Sequence, residues 1–466
     1  MKFDALIEGM AGDIIKSTQD VLKYRSVQGE PLPGAPFGEG VKGSLDYVLS
    51  LSEKMGFETK NLDGYVGYAQ YGDGDEMVGI LVHLDVVPEG DGWTYPPYSG
   101  EIHDNRIYGR GAIDDKGPAI ACLYALKAIK DSGVSLKRKV RIIFGTNEES
   151  GWKDIEYYKK HEIYPDLGFT PDANFPLIFA EKGILTFKIK MDFETKKEGH
   201  IFLKHLKGGN AANMVPDYCE ACLSVNPDKK DYIKMLVLKM INEDNVNVKL
   251  LDRGDDILIK SYGISAHGST PEKGVNAIMQ LIMILYRLDF ARDDVYQFIS
   301  YFAEKVGMDY TGKNMSLNIS DDISGGLTFN IGVINVDDKK GTVEINIRYP
   351  VTASRDTVES IIKRHLPEKF NYVYLNGFDP IHVSTNSVLA QTLLKVYRQS
   401  TGDDVSNPIA IGGGTYARAF KNFVAFGPVF PGGAELAHQK DEYIEIEHLI
   451  KLAKIYSMAI YELSNI

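Results

Sequence analysis

Cysteine is nearly absent, with three in 466 residues. So few cannot build a disulfide framework, and the scarcity fits a reducing compartment. Two of them, Cys219 and Cys222, form a C-x2-C pair, but no second pair completes a zinc site. They lie in the strand-like run Tyr-Cys-Glu-Ala-Cys-Leu-Ser-Val, where positions three apart point to opposite faces, so they read as small buried or half-buried residues. Long apolar runs are missing as well. No stretch of about 18 apolar residues occurs, and no apolar segment follows Met1-Lys2-Phe3-Asp4, so a cytoplasmic protein without a membrane partner is expected. Basic charge is not in excess: 52 Lys and Arg stand against 64 Asp and Glu, a net charge of −12. That balance argues against a nucleic acid or an anionic membrane as partner. Internal repeats and low-complexity segments are also lacking.

What remains is an ordinary globular composition, 44% hydrophobic and 25% charged, on a chain long enough for two packed cores. The first third alternates helix and strand patterns. Helices are expected at Phe3–Tyr24, Gly43–Met55 and Ala119–Ser132. The continuous apolar runs Met77–Val82 and Val140–Phe144 read as strands buried on both faces of a largely parallel sheet. From Gly183 to His382 the texture changes. Strands such as Thr186–Asp192 and Thr342–Arg348 alternate with amphipathic helices at Asp231–Ile241, Val275–Leu288 and Thr357–His365, an α+β insertion that reads as a lid. A helix at Asn386–Ser400, a strand and glycine turn at Val405–Gly414 and a long helix at Glu442–Leu463 complete the chain. The fold class is thus α/β, a mostly parallel sheet flanked by helices with an inserted α+β lid domain. The expected division is 1–183 and 383–466 for the catalytic domain and 184–382 for the lid.

Metal-type residues occur where the buried strands run out: His83-Leu84-Asp85, Asp114-Asp115 in a glycine-rich turn, Glu148-Glu149, Asp172 and His438. Two imidazoles with three or four carboxylates are what a pair of divalent ions requires. In open α/β sheets ligands gather at the carboxyl ends of strands, so these segments are expected on one edge. In His83-Leu84-Asp85 a spacing of two on extended chain points both side chains the same way, which would let the Asp85 carboxylate take the second imidazole proton. Neighbouring Glu148 and Glu149 diverge, so one can bind metal while the other faces water. Metal-assisted hydrolysis needs that division, a Lewis acid and a nearby general base.

These motifs, His83-Leu-Asp-Val-Val-Pro-Glu-Gly, Gly109-Arg-Gly-Ala-Ile-Asp-Asp-Lys-Gly-Pro118, Gly145-Thr-Asn-Glu-Glu-Ser150, Pro171-Asp172 and Ala437-His438, resemble the dinuclear metallopeptidase superfamily of aminoacylase, carboxypeptidase and carnosinase. The likeness spans essentially the whole chain and is closest to the peptidase V-type, or Xaa-His, dipeptidases. It implies two divalent ions, zinc first and manganese or cobalt as alternatives. His83 and Asp172 would bind one, Glu149 and His438 the other, and Asp114 would bridge them. Glu148 would act as general base on a water between the ions, and Asp85 would orient His83. A cis peptide is implied between Asp114 and Asp115. Aspartate at 172 resembles relatives acting on peptides with a free amino terminus, where several acyl-group hydrolases carry glutamate. The implied activity is therefore that of a dipeptidase, with an N-acyl amino acid deacylase or a catalytically silent binding protein as alternatives.

In the insertion, His267 sits in Gly263-Ile-Ser-Ala-His-Gly-Ser-Thr-Pro271 and Asn213 precedes an extended segment. Either could be a plain turn residue. The resemblance implies that both reach the active site, with His267 donating to a developing oxyanion. Arg348, at a strand end, could pair with a substrate carboxylate or simply be exposed. Gly413 and Gly414 could offer backbone donors to the same carboxylate or form a flexible turn. An insertion of roughly two hundred residues has the size of a domain. By the same resemblance it would replace a partner's lid and leave the chain a monomer.

Overall fold

The computed structural model describes residues 2–195, 198–291 and 293–466. Two compact units emerge: Met1–Phe179 with His382–Ile409 and Gly414–Ile466, and Ala180–Ile381 with Ala410–Gly413.

The first unit is built on a sheet whose order runs Glu58–Leu62, Val66–Tyr71, Lys139–Gly145, Met77–His83, Leu167–Thr170, Phe423–Ala425. The last four of these strands are mutually parallel, and Glu58–Leu62 and Val66–Tyr71 form an antiparallel margin. Every residue of Met77–His83 is buried, which explains why the run is apolar throughout rather than alternating. Helices Lys116–Asp131 and Ile446–Leu463 pack on one another, and the first also packs on Met77–His83. Their apolar faces share one core with Val78, Ile80, Val82 and Phe144.

The second unit is an eight-stranded antiparallel sheet in the order Val248–Arg253, Asp256–Tyr262, Tyr218–Val225, Ile201–Gly208, Thr328–Val336, Lys340–Tyr349, Gly183–Asp192, Asn371–Phe378. Burial alternates strictly along Tyr218–Val225, which puts Cys219 inside and leaves Cys222 half-buried on the other face. Helix Ala277–Tyr286 packs across the sheet, and its N-cap Asn276 accepts a hydrogen bond from the Met279 amide.

Several expected boundaries move for local reasons. The single helix expected over Phe3–Tyr24 is two, Asp4–Gly9 and Ala11–Leu22, broken at Met10 where Gly9 and Gly12 flank the turn and weaken helix propensity. The helix expected from Gly43 starts at Glu39, after Gly38 adopts φ 97°. Within Val405–Gly414 only Ile409–Ile411 is strand, because the Asp403 carboxylate takes the amides of Val405 and Ser406 into a turn and Pro408 has no N–H to pair. The last helix begins at Ile446, not Glu442, and Glu442 is free for another task. Among the described residues no helix is long and apolar enough to cross a membrane.

Candidate metal centre

Three adjacent parallel strands deliver the site. Met77–His83 ends on His83 itself, Lys139–Gly145 leads into Thr146-Asn147-Glu148-Glu149, and Leu167–Thr170 leads into Pro171-Asp172. Asp114 comes from the turn before helix Lys116–Asp131, and His438 from a loop that returns to the same unit. Asp114 stands between the two imidazoles. Its Oδ1 is 2.9 Å from His83 Nε2 and its Oδ2 3.1 Å from His438 Nε2. Glu149 Oε1 lies 2.9 Å from His438 Nε2, and Asp172 Oδ1 lies 3.9 Å from His83 Nε2. His83, Asp114 and Glu149 each offer an atom within 4.8 Å of the others. Ligand bonds of ~2.0–2.1 Å give a tetrahedral shell an edge of ~3.3–3.4 Å. The observed separations straddle that value, so the donor set fits divalent ions.

Charge balance points the same way. Burial and then the Asp114 carboxylate push Asp172 up to about 6, and burial with the charges of Asp154 and Glu149 pushes Asp85 up to about 7. Burial and the Asp172 charge raise Glu148 well above the usual range. Burial opposes ionisation of Asp114, but hydrogen bonds from His438 and His83 hold it below the usual carboxylate range. The same bonds from Asp114 and Glu149 drive His438 up to about 11, and His83 is raised by Asp114 and Asp172 although its burial alone would lower it. Carboxylates outnumber the cations that offset them, a deficit that bound divalent ions would supply.

The ion-facing nitrogen of His83 follows from the bond its other nitrogen makes. Nδ1–H donates to the Asp85 backbone carbonyl at 3.0 Å, so Nε2, which donates to Asp114, is the nitrogen that would bind an ion once its proton is displaced. The expectation that the Asp85 carboxylate would take this proton is corrected, since Oδ1 is 3.7 Å away. The strand ends at His83, so the alternation that would align the two side chains no longer applies. The carboxylate instead accepts from the amides of Glu148 at 3.1 Å and Glu149 at 3.0 Å. Asp154 does the same for the preceding pair, with Oδ2 accepting from Thr146 N at 2.6 Å and Asn147 N at 2.9 Å. Four consecutive backbone amides of the Glu148-Glu149 turn therefore end on two buried carboxylates. Tyr416 donates its hydroxyl to Asp154, and its ring meets His83 edge-on. Gly145 makes room for it, because a Cβ there would lie 2.5 Å from the Tyr416 ring. The Asp115 side chain does not cap the helix that follows; its Oδ2 accepts from the His83 amide at 3.2 Å. The Asp114–Asp115 peptide is cis, as the resemblance implies.

Sequence reasoning missed four contributors: Arg110, Asp154, Tyr416 and Glu442. Arg110 had a signal in its Gly-Arg-Gly setting, where a buried arginine side chain must find a carboxylate. Its partner is Glu442, at 2.7 Å.

The remaining candidates occupy other positions. His267, Asn213, Arg348 and Gly413 belong to the second unit and Gly414 to the first. Met214–Val215 pairs with Ala266–His267, and the Gly268 amide donates to Asn213 O at 2.7 Å, which makes His267 and Asn213 neighbours. His267 is exposed. Its Nδ1 accepts from the Ser269 amide at 3.2 Å, so the neutral ring carries its proton on Nε2. Partial desolvation by the surrounding protein and then the Arg348 charge lower its pKa. Arg348 is buried, not exposed, with Nε donating to Asn346 Oδ1 and Nη1 to Gly412 O.

The sequence model of "Peptidase family M20/M25/M40" matches residues 79–462. A Bacillus subtilis protein named "Putative dipeptidase YtjP" is 43% identical over 462 residues, covering 97% of each chain. A Staphylococcus haemolyticus protein of the same description, SH1171, is 36% identical over 470 residues, covering 98% of each. Among solved structures, human carnosine dipeptidase 1 aligns with a TM-score of 0.58 at 16% identity, over 99% of both chains. The dipeptidase Dug1p from Saccharomyces cerevisiae aligns with a TM-score of 0.59 at 15% identity, over 99% of this chain and 98% of that one. At such identities the structural likenesses establish the fold.

Proposed function

The chain belongs to peptidase family M20/M25/M40 and is a hydrolase acting on peptide bonds, and we propose that it is a two-metal dipeptidase for substrates with a free amino terminus. The observation that carries this reading is Asp114, whose two oxygens each face a different imidazole. The names of the relatives support the substrate class. In this reading His83 and Asp172 would hold one ion and His438 and Glu149 the other, with Asp114 shared, zinc being the first candidate and manganese or cobalt also suited to mixed imidazole and carboxylate donors. When bound, divalent ions supply Lewis acidity that polarises the scissile carbonyl and lowers the pKa of water.

The protein's own groups do the rest. Glu148 accepts a proton from the attacking water and passes it to the leaving amine. Its turn is fixed by Asp85 and Asp154, so the carboxyl is presented without reorganisation. His267, with its proton on Nε2, donates to the oxygen that gains charge, and Asn213 beside it helps hold the substrate. Arg348, whose Nε donates to Asn346 Oδ1 and Nη1 to Gly412 O, would with the Gly413 and Gly414 backbone meet the substrate carboxylate. The second unit acts as a lid, and the chain works as a monomer.

A screen of free dipeptides against N-acetylated and N-succinylated amino acids, each with zinc or manganese, tests the substrate class. Free dipeptides should show the higher kcat/KM. Faster turnover of the blocked amino acids would replace dipeptidase by deacylase, and no turnover of either by the metal-loaded protein would favour a binding role.

The role of His267 has a separate test. His267→Ala should lower kcat by ~10²–10³-fold with little change in KM, because the hydrogen bond strengthens mainly in the transition state. A change in KM alone would leave His267 as a substrate-positioning group, and no change in either constant would return it to a turn residue.

A further inference from the structure

Arg110 and Glu442 form an ion pair at 2.7 Å with side chains 2% and 0% exposed. Such a pair is weak evidence of stabilisation in itself, since apolar residues of similar volume often serve a folded core equally well. Its other bonds say more. Glu442 Oε1 accepts from the amides of Ile113 at 3.0 Å and Asp114 at 3.3 Å. The Arg110 guanidinium donates to the carbonyls of Gln439 at 3.1 Å, His438 at 3.3 Å and Glu89 at 3.4 Å. The pair therefore ends on the backbone of Asp114 on one side and of His438 on the other.

His438 needs such support. It is half exposed, on a loop without regular structure, and its backbone sits at φ 64°, a left-handed conformation that residues with a Cβ disfavour. Its loop is separated from Asp114 by most of the chain, and local sequence cannot set the distance between them. A guanidinium can, because its planar fork reaches several carbonyls in fixed directions.

We infer that Arg110 and Glu442 are joint positioning residues, which hold the backbones of Asp114 and His438 at the spacing a shared pair of ions requires before any ion binds. The inference rests on the reading of Asp114 and His438 as ligands, and goes beyond it by assigning the groups that preset them.

The experiment is a calorimetric titration of metal-free protein with Mn²⁺, read beside the melting temperature of the same metal-free samples. The informative variant is the double substitution Arg110→Met with Glu442→Leu, which leaves no buried charge unpaired. It should fold, with a melting temperature lowered by the backbone bonds it loses, and bind Mn²⁺ about 10–100-fold more weakly, the usual effect of removing groups that orient metal ligands. Arg110→Lys gives a second measurement, for use if the double variant does not fold. It keeps the charge opposite Glu442 and loses the fork, so its Mn²⁺ affinity should also fall with the melting temperature little changed. Arg106→Met, which breaks the exposed pair with Glu445, should leave affinity unaltered. Wild-type affinity in a folded double variant, or in Arg110→Lys, would overturn the inference, as would an equal loss in Arg106→Met. A wild-type protein that takes up no Mn²⁺ would overturn the ligand reading itself, an outcome distinct from uptake that the variants leave unchanged.

Discussion

Replacement of Glu148 by alanine is expected to lower kcat by ~10²–10⁴-fold, the usual cost of removing a general base, with both metals retained. The reason lies in how the two adjacent glutamates are used. Glu149 places Oε1 2.9 Å from His438 Nε2 and lies in the donor cluster with His83 and Asp114. The Glu148 carboxyl makes no such contact among the described residues, yet it interacts electrostatically with Asp172, His83 and Glu149. It is thus close to the centre without being committed to it. Burial and the Asp172 charge raise its proton affinity well above that of an ordinary carboxyl, and bound cations would bring it down toward the range where a base works. Metal content by atomic emission, measured beside kcat, separates the roles. A fully metallated Glu148→Ala protein with near wild-type turnover would remove Glu148 as the base. Loss of one metal would instead make it a ligand.

His83 and Glu148-Glu149 were legible because each follows a segment with a strong pattern of its own. Met77–Val82 and Val140–Phe144 are apolar at nearly every position, which only a strand covered on both faces explains, and polar residues directly after such strands lie at one edge of a parallel sheet. The supporting shell was not legible. Arg110 meets Glu442 across 332 positions and Tyr416 meets Asp154 across 262, and no local periodicity encodes such pairings. Glu442 was further hidden because helix-forming residues follow it, so the terminal helix seemed to begin there. The Asp85 carboxylate was assigned to the wrong neighbour for a related reason. Alternation of side chains holds within a strand, and this strand ends at His83, after which a backbone carbonyl comes closer to the imidazole than the carboxylate does. In the second unit the strands were readable from alternation, whereas the turn that carries Asn213 is held by Asn330, which donates to the carbonyls of Ala212 and Met214 from a distant strand.

Removal of divalent ions should abolish hydrolysis, and return of zinc, manganese or cobalt should restore it. The site without cations holds Asp85, Asp114, Glu148, Glu149 and Asp172 against two imidazoles, and it keeps charge in check only by retaining protons. Hydrogen bonds to Asp114 and Glu149 raise His438 to about 11, and burial followed by the Asp114 charge raises Asp172 to about 6. Ions must displace the protons on the imidazoles, so metal affinity should weaken as pH falls through the neutral range and protons should be released on binding. His438→Ala removes one imidazole from the pair that flanks Asp114. The variant should bind fewer than two ions per chain and lose most activity, while His83, Asp114 and Asp172 keep the other position. Equilibrium dialysis followed by metal analysis gives the stoichiometry directly. Two ions retained by His438→Ala would take His438 off the ligand set. Hydrolysis that survives exhaustive chelation would contradict the two-metal reading altogether.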